Sequence, residues 1–185
     1  MFEQAKELDF SFEVKGVARF RANYYYSKNT VAGAFRQIPV RVPDFNELGL
    51  PPQVASLANF PNGMILVTGP TGSGKTTTIA SLLGKINASR YGHIVTLEDP
   101  IEYMHKHDKC IVSQREIGAD SNSYHRALKS IVRQDPDYCL IGELRDLEAI
   151  EVALQLAETG HLVFSSLHTN SAIQTINRVV SVFPS

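Results

Sequence analysis

Met64-Ile65-Leu66-Val67-Thr68 followed by Gly69-Pro70-Thr71-Gly72-Ser73-Gly74-Lys75-Thr76 is the stretch that decides the fold. The first part is an unbroken apolar run with no polar alternation, the pattern of a strand buried on both faces of a parallel sheet. Glycines then interrupt it. From Thr76 to about Ala88, the residues Ile79, Leu82, Leu83 and Ile86 recur on one helical face. Strand, glycine-rich turn and helix in that order bring free backbone N–H groups and the positive end of a helix dipole to one point. In this context Gly-x-x-x-x-Gly-Lys-Thr predicts a phosphate-binding loop. Lys75 is placed to reach the β- and γ-phosphates of ATP, and the Thr76 hydroxyl to ligate Mg²⁺. Gly69, Pro70, Thr71, Gly72, Ser73, Gly74, Lys75, Thr76 and Thr77 are the expected nucleotide contacts.

Outward from this loop, Ile94-Val95-Thr96-Leu97, Tyr138-Cys139-Leu140-Ile141 and Leu162-Val163-Phe164 read as further strands, with helices over 122–134, 146–158 and 171–182. That alternation predicts an α/β fold with a doubly wound, mainly parallel sheet. Upstream, Phe10–Val14 and Val17–Tyr24 alternate around Gly16 as a hairpin, and Phe35–Ile38 is a third strand. So few strands cannot bury a core alone, and they are expected to pack on the larger downstream unit. The two prolines of Ile38–Phe45 mark a linker, and Pro51-Pro52 opens a short helix ending near Phe60. The expected division is 1–38, a linker over 39–46, and a core over 47–185.

The chain of 185 residues is 43% apolar and 20% charged, the balance of a globular domain rather than a disordered one. A formal charge of −1 argues against a nucleic-acid partner held by bulk electrostatics. No run is long and apolar enough to insert in a membrane, and no secretory signal opens the chain. Cys110 and Cys139 make no disulfide framework, which suits a reducing cytoplasm. His105, His107 and Cys110 lack further ligands at metal spacing, so that stretch reads as a solvated loop.

Acids follow two of the strands. Glu143 comes directly after Tyr138–Gly142, at the strand tip where a P-loop enzyme holds Mg²⁺, here through water; its alternative role is to cap the helix starting near Asp146. Glu98-Asp99-Pro100-Ile101-Glu102 follows the strand ending at Leu97, and its crowded carboxylates suit polarising an attacking water. The absence of an Asn-Lys-x-Asp run disfavours guanine.

With these residues in view, the chain resembles the type IV pilus and type II secretion ATPases of the RecA-like P-loop class. The likeness rests on four ordered signatures: the P-loop, Thr96–Tyr103, Gly142–Asp146, and Ala157–Thr169. Arg133-Gln134-Asp135-Pro136-Asp137 adds to it. Val112–Glu116 and Arg178–Pro184 are similar to the branch that retracts pili. The resemblance implies a RecA-like core preceded by the end of a PAS-like α/β domain. It also implies an ATP-hydrolysing, Mg-dependent motor, homo-hexameric and working with a pilus platform protein at the cytoplasmic face of the inner membrane. Glu102 then matches the water-polarising glutamate and Glu143 the Mg²⁺-holding acid. His161 and His168 match the nucleotide-sensing histidines. Arg19, Arg21 and Arg36 match arginines that close on the γ-phosphate. Members are longer than this chain, so the C-terminal helices are expected to lie outside it, leaving nucleotide binding without efficient turnover. A pilus-extension or secretion motor and a RecA-like nucleic-acid translocase are the alternatives.

Overall fold

The computed structural model describes residues 2–39 and 41–184; Val40, in the expected linker, lies outside them. The chain makes two sheets. After a short helix α1 (Phe2–Ala5), strands β1 (Glu7–Val14), β2 (Ala18–Ser27) and β3 (Thr30–Ile38) form an antiparallel sheet in that order. Helix α2 (Pro52–Ser56) precedes a five-stranded parallel sheet. It is built from β4 (Gly63–Thr68), β5 (Gly92–Glu98), β6 (Cys110–Glu116), β7 (Tyr138–Ile141) and β8 (Leu162–Leu167), ordered β4-β8-β7-β5-β6. Helices α3 (Lys75–Ser89), α4 (Tyr124–Ile131), α5 (Leu147–Glu158) and α6 (Ala172–Val180) follow β4, β6, β7 and β8.

The unbroken apolar strands have a direct structural cause: alternate residues feed two separate cores. Ile94, Leu140 and Phe164 pack with Ile79, Leu82 and Ile86 of α3 on one face. Val95, Cys139, Ile141 and Val163 pack with Leu128 of α4 and Ile150 and Leu156 of α5 on the other. Both faces are therefore dry, and polar alternation would leave unsatisfied groups in one core or the other.

Helix starts are set by side-chain caps. Ser123 accepts from the Arg126 N–H, Asp146 from Ala149 and Ser171 from Gln174. Asp146 therefore caps α5 itself, and Glu143 is not needed for that task.

Two expectations are corrected here. Cys110–Glu116 is a strand, not part of a solvated loop; Cys110 is buried at its start, and β6 pairs with β5 along Gly92–Glu98. His105 is also removed from water, and burial lowers its pKa to about 4.

The small sheet has two unlike faces. Phe10, Phe12, Phe20, Tyr24 and Phe35 cluster on one, with ring centroids 5.2–6.3 Å apart. Ser11, Arg19, Arg21 and Arg36 share the other, because Ser11 pairs Arg21 and Arg21 pairs Arg36 in the ladder. That polar face meets the parallel sheet, and Phe45 beyond the expected linker is buried in its core.

Candidate active site

All five parallel strands run the same way, so their C-terminal tips line one edge of the sheet, where the topology leaves a crevice. There a cleft of about 460 Å³ opens between the glycine-rich loop and the loops that follow β5 and β7. Gly72, Gly74, Lys75, Thr76 and Thr77 form one wall.

The loop has the conformation its glycines predict. Gly69, Gly72 and Gly74 have φ values of 149°, 80° and 90°. A Cβ on Gly69 would stand 2.7 Å from Ser73 Oγ, so this turn closes only around glycine. Gly74 is the N-cap of α3 and no side chain caps that helix, which leaves its N-terminus to an anionic ligand. Lys75 is buried and its Nζ donates to the carbonyls of Gly69 (2.9 Å) and Pro70 (3.0 Å). The ammonium is thus held ready over the loop.

The opposite wall carries the acids. Glu102 and Glu143 both line the cleft and are accessible from it. Glu143 Oε2 lies 3.5 Å from Arg145 Nε, and Oε1 lies 3.6 Å from His168 Nε2. Arg145 also meets Asp99 at 3.1 Å, joining the loops after β7 and β5. Gly142 fixes their spacing: its N–H donates to Leu97 O at 2.9 Å, and its carbonyl accepts from Ser166 Oγ of β8 at 2.7 Å.

Glu98 is a different kind of acid. Burial raises its carboxyl pKa, against bonds from Thr96, Gln114 and the Glu102 backbone; the Glu102 charge adds to the rise. Thr96 Oγ1 donates to Glu98 Oε1 at 2.6 Å.

The expected arginines separate. Arg36 of β3 lines the cleft. Arg21 sits directly across the ladder from it, exposed. Arg19 is turned instead onto Glu116 of β6, at 2.9 Å. The histidines also separate. His168 follows β8 at the cleft, whereas His161 precedes β8 at the far edge of the sheet, roughly 20 Å away at about 3.3 Å per strand residue. His161 Nδ1 meets Leu156 O at 2.8 Å, which ties the end of α5 to the strand.

Thr76 and Glu143 present hard oxygen donors to one cleft, the set that Mg²⁺ takes together with substrate phosphates. The uncapped helix and the Lys75 ammonium supply what phosphate oxygens need. Nucleotide and Mg²⁺ therefore fit the residues present.

The sequence profile of the type II/IV secretion system protein family matches residues 22–182. The chain belongs to this family. Within it, the type IV pilus retraction ATPase PilT of Pseudomonas aeruginosa is 52% identical over 99% of this chain and 53% of its own length. A twitching motility protein of Neisseria gonorrhoeae is 48% identical over the whole of this chain and 49% of its own length. A crystal structure of the pilus retraction motor PilT with bound ADP superposes with a TM-score of 0.96, at 55% identity, over 99% of this chain and 53% of that one. The chain thus spans about half the length of the relatives it matches. The α/β core is RecA-like, as the family resemblance implied.

Three participants of this secretion-family cleft escape sequence reasoning. Tyr124 donates to Glu143 O, Ser166 to Gly142 O, and Arg145 bridges the two acidic loops. Only Arg145 had a local signal, since it sits two positions beyond Glu143; the others arrive through strand order.

Proposed function

We propose that the chain is the nucleotide-hydrolysing part of a type IV pilus retraction motor. The observation that carries this reading is one cleft in which the P-loop meets Glu102 and Glu143 from two other strand tips. Lys75, Thr76 and the loop N–H groups hold the triphosphate, and Arg36 reaches it from the small sheet. Mg²⁺, held by Thr76 and through water by Glu143, supplies charge neutralisation at the phosphates.

Glu102 takes the proton of the attacking water as general base, and Lys75 meets charge on the departing phosphate. Arg21 and Arg36 face one another across the ladder as like charges, an arrangement that an anion between them relieves. His168 senses the occupant of the cleft through Glu143. Arg19 acts one step removed, and His161 links α5 to β8.

Retraction, rather than extension or secretion, is supported by identity to PilT along nearly the whole chain. The same likeness supports a homo-hexamer that acts with a platform protein at the inner-membrane face. Among the described residues no helix is long and apolar enough to cross a membrane, which fits a peripheral subunit. Residues 1–38 then form part of a PAS-like domain, 39–46 a linker and 47–185 the ATPase core, with closure of the first on the last as the working stroke. The test is expression of the complete protein in a bacterium lacking its own retraction ATPase. Restored twitching with wild-type protein, and none with Lys75→Ala, is the expected result. Failure of an expressed, folded wild-type protein to restore it, with pilus assembly rescued in an extension mutant instead, would reassign the motor.

A further inference from the structure

Glu102 sits on Asp99–Lys109, an irregular segment that no ladder holds between β5 and β6. A set of side chains from β6 fixes it. Gln114 accepts from the His105 N–H (2.7 Å) and donates to Tyr103 O (2.8 Å). Two positions on, Glu116 accepts from the Ile101 N–H through Oε2 at 3.1 Å. Ile101 is itself buried, so that amide has no water to fall back on.

Glu116 has a second set of partners. The same Oε2 accepts from Arg19 Nη2 of β2 at 2.9 Å, and Oε1 accepts from Ser11 Oγ of β1. Arg19 Nη2 also donates to Ser11 Oγ at 2.8 Å, so the three side chains close on one another. The carboxylate is almost fully buried, at 5% side-chain exposure, and no bulk water competes for it. A single buried carboxylate therefore ties the small antiparallel sheet to the backbone amide immediately before Glu102.

We propose that Glu116 is the positioning residue for Glu102, and that Arg19 and Ser11 make its grip depend on where the small sheet sits. This rests on the reading of Glu102 as general base. With the sheet docked, Arg19 and Ser11 hold the carboxylate, the carboxylate holds the Ile101 amide, and Glu102 is aimed into the cleft. With the sheet swung away, Glu116 loses its cation and the segment bearing Glu102 loosens. Movement of a domain that contributes Arg36 to the cleft would then also switch the base, so that hydrolysis proceeds only in the closed form. Arg19 acts through Glu116, without touching nucleotide.

The experiment compares wild type, Glu116→Ala, Glu116→Gln and Arg19→Gln in the complete protein. The readouts are hydrogen exchange at the Ile101 amide, Mg-ADP affinity and turnover. Glu116→Ala is expected to speed Ile101 exchange at least tenfold and lower kcat at least tenfold, with Mg-ADP affinity within threefold. Glu116→Gln keeps an acceptor for Ile101 and should recover most of that protection and of kcat. Arg19→Gln should speed Ile101 exchange although Arg19 never touches that amide; it also stands in should Glu116→Ala fail to fold. Wild-type exchange at Ile101 in both Arg19→Gln and Glu116→Ala, or a loss of nucleotide affinity as large as the loss of kcat, overturns the proposal. Because exchange reports the tether whatever the base is, faster exchange with unchanged kcat would instead sink the Glu102 reading.

Discussion

Lys75→Ala tests whether the P-loop is a working phosphate site. In the free protein the Lys75 ammonium is buried and donates to Gly69 O and Pro70 O at 2.9 and 3.0 Å. To meet phosphate it must give up those bonds. Two charge-assisted phosphate contacts are worth roughly 3–6 kcal/mol gross, and surrendering two carbonyl bonds returns about 1 kcal/mol each. The net loss is about 2–4 kcal/mol, or roughly 30- to 1,000-fold in Kd. The variant also loses the two bonds in the free state, about 1–2 kcal/mol, which lowers its melting temperature by roughly 2–8 °C. Calorimetric titration with Mg-ATP, alongside thermal melts without nucleotide, reads both quantities. A Kd within threefold of wild type in a folded variant would refute the assignment of Lys75 to phosphate.

Two further outcomes bear on the acids. A methyl group at Gly142 would lie 3.2 Å from Leu97 O and force the β5 and β7 tips apart by a few tenths of an ångström. Since a displacement of about 1 Å can cost about 10²-fold in rate, Gly142→Ala should lower kcat roughly three- to tenfold with melting nearly unchanged; an unaltered kcat would show that this contact does not set the spacing. Glu98 predicts a pH effect. Its folded pKa is raised above the ordinary 4.5 by burial, so the folded state holds the proton more tightly than the unfolded chain. That stability is fully present below about pH 4.5 and is lost as pH rises through the raised value. Glu98→Gln removes the titration, so its stability relative to wild type should grow as pH climbs through that window; parallel pH–stability curves would contradict the burial argument.

Much of the parallel sheet was legible because burial on both faces leaves an unmistakable mark. Met64–Thr68 and Tyr138–Ile141 are apolar throughout, and the structure ends both strands where the sequence reading does. Strand β6 was not legible. As an edge strand it mixes the exposed Ile111 with Gln114, Arg115 and Glu116, whose work is to hold the neighbouring loop and sheet. The site follows the same division. Lys75 and Thr76 carry a local spacing signal, whereas Arg36 and Arg19 lie on adjacent strands of one polar face with nothing local to distinguish them. Only the docking of the small sheet sends Arg36 to the cleft and Arg19 to Glu116.

The central claim is that Glu102 activates water for attack on a nucleotide that the P-loop holds. Its most direct test is Mg-dependent phosphate release by the complete protein carrying Glu102→Gln, with Mg-ATP affinity measured on the same sample. The account predicts turnover lower by roughly 10²-fold or more, the scale of a lost general base, with affinity nearly unchanged. Phosphate release at the wild-type rate would contradict it.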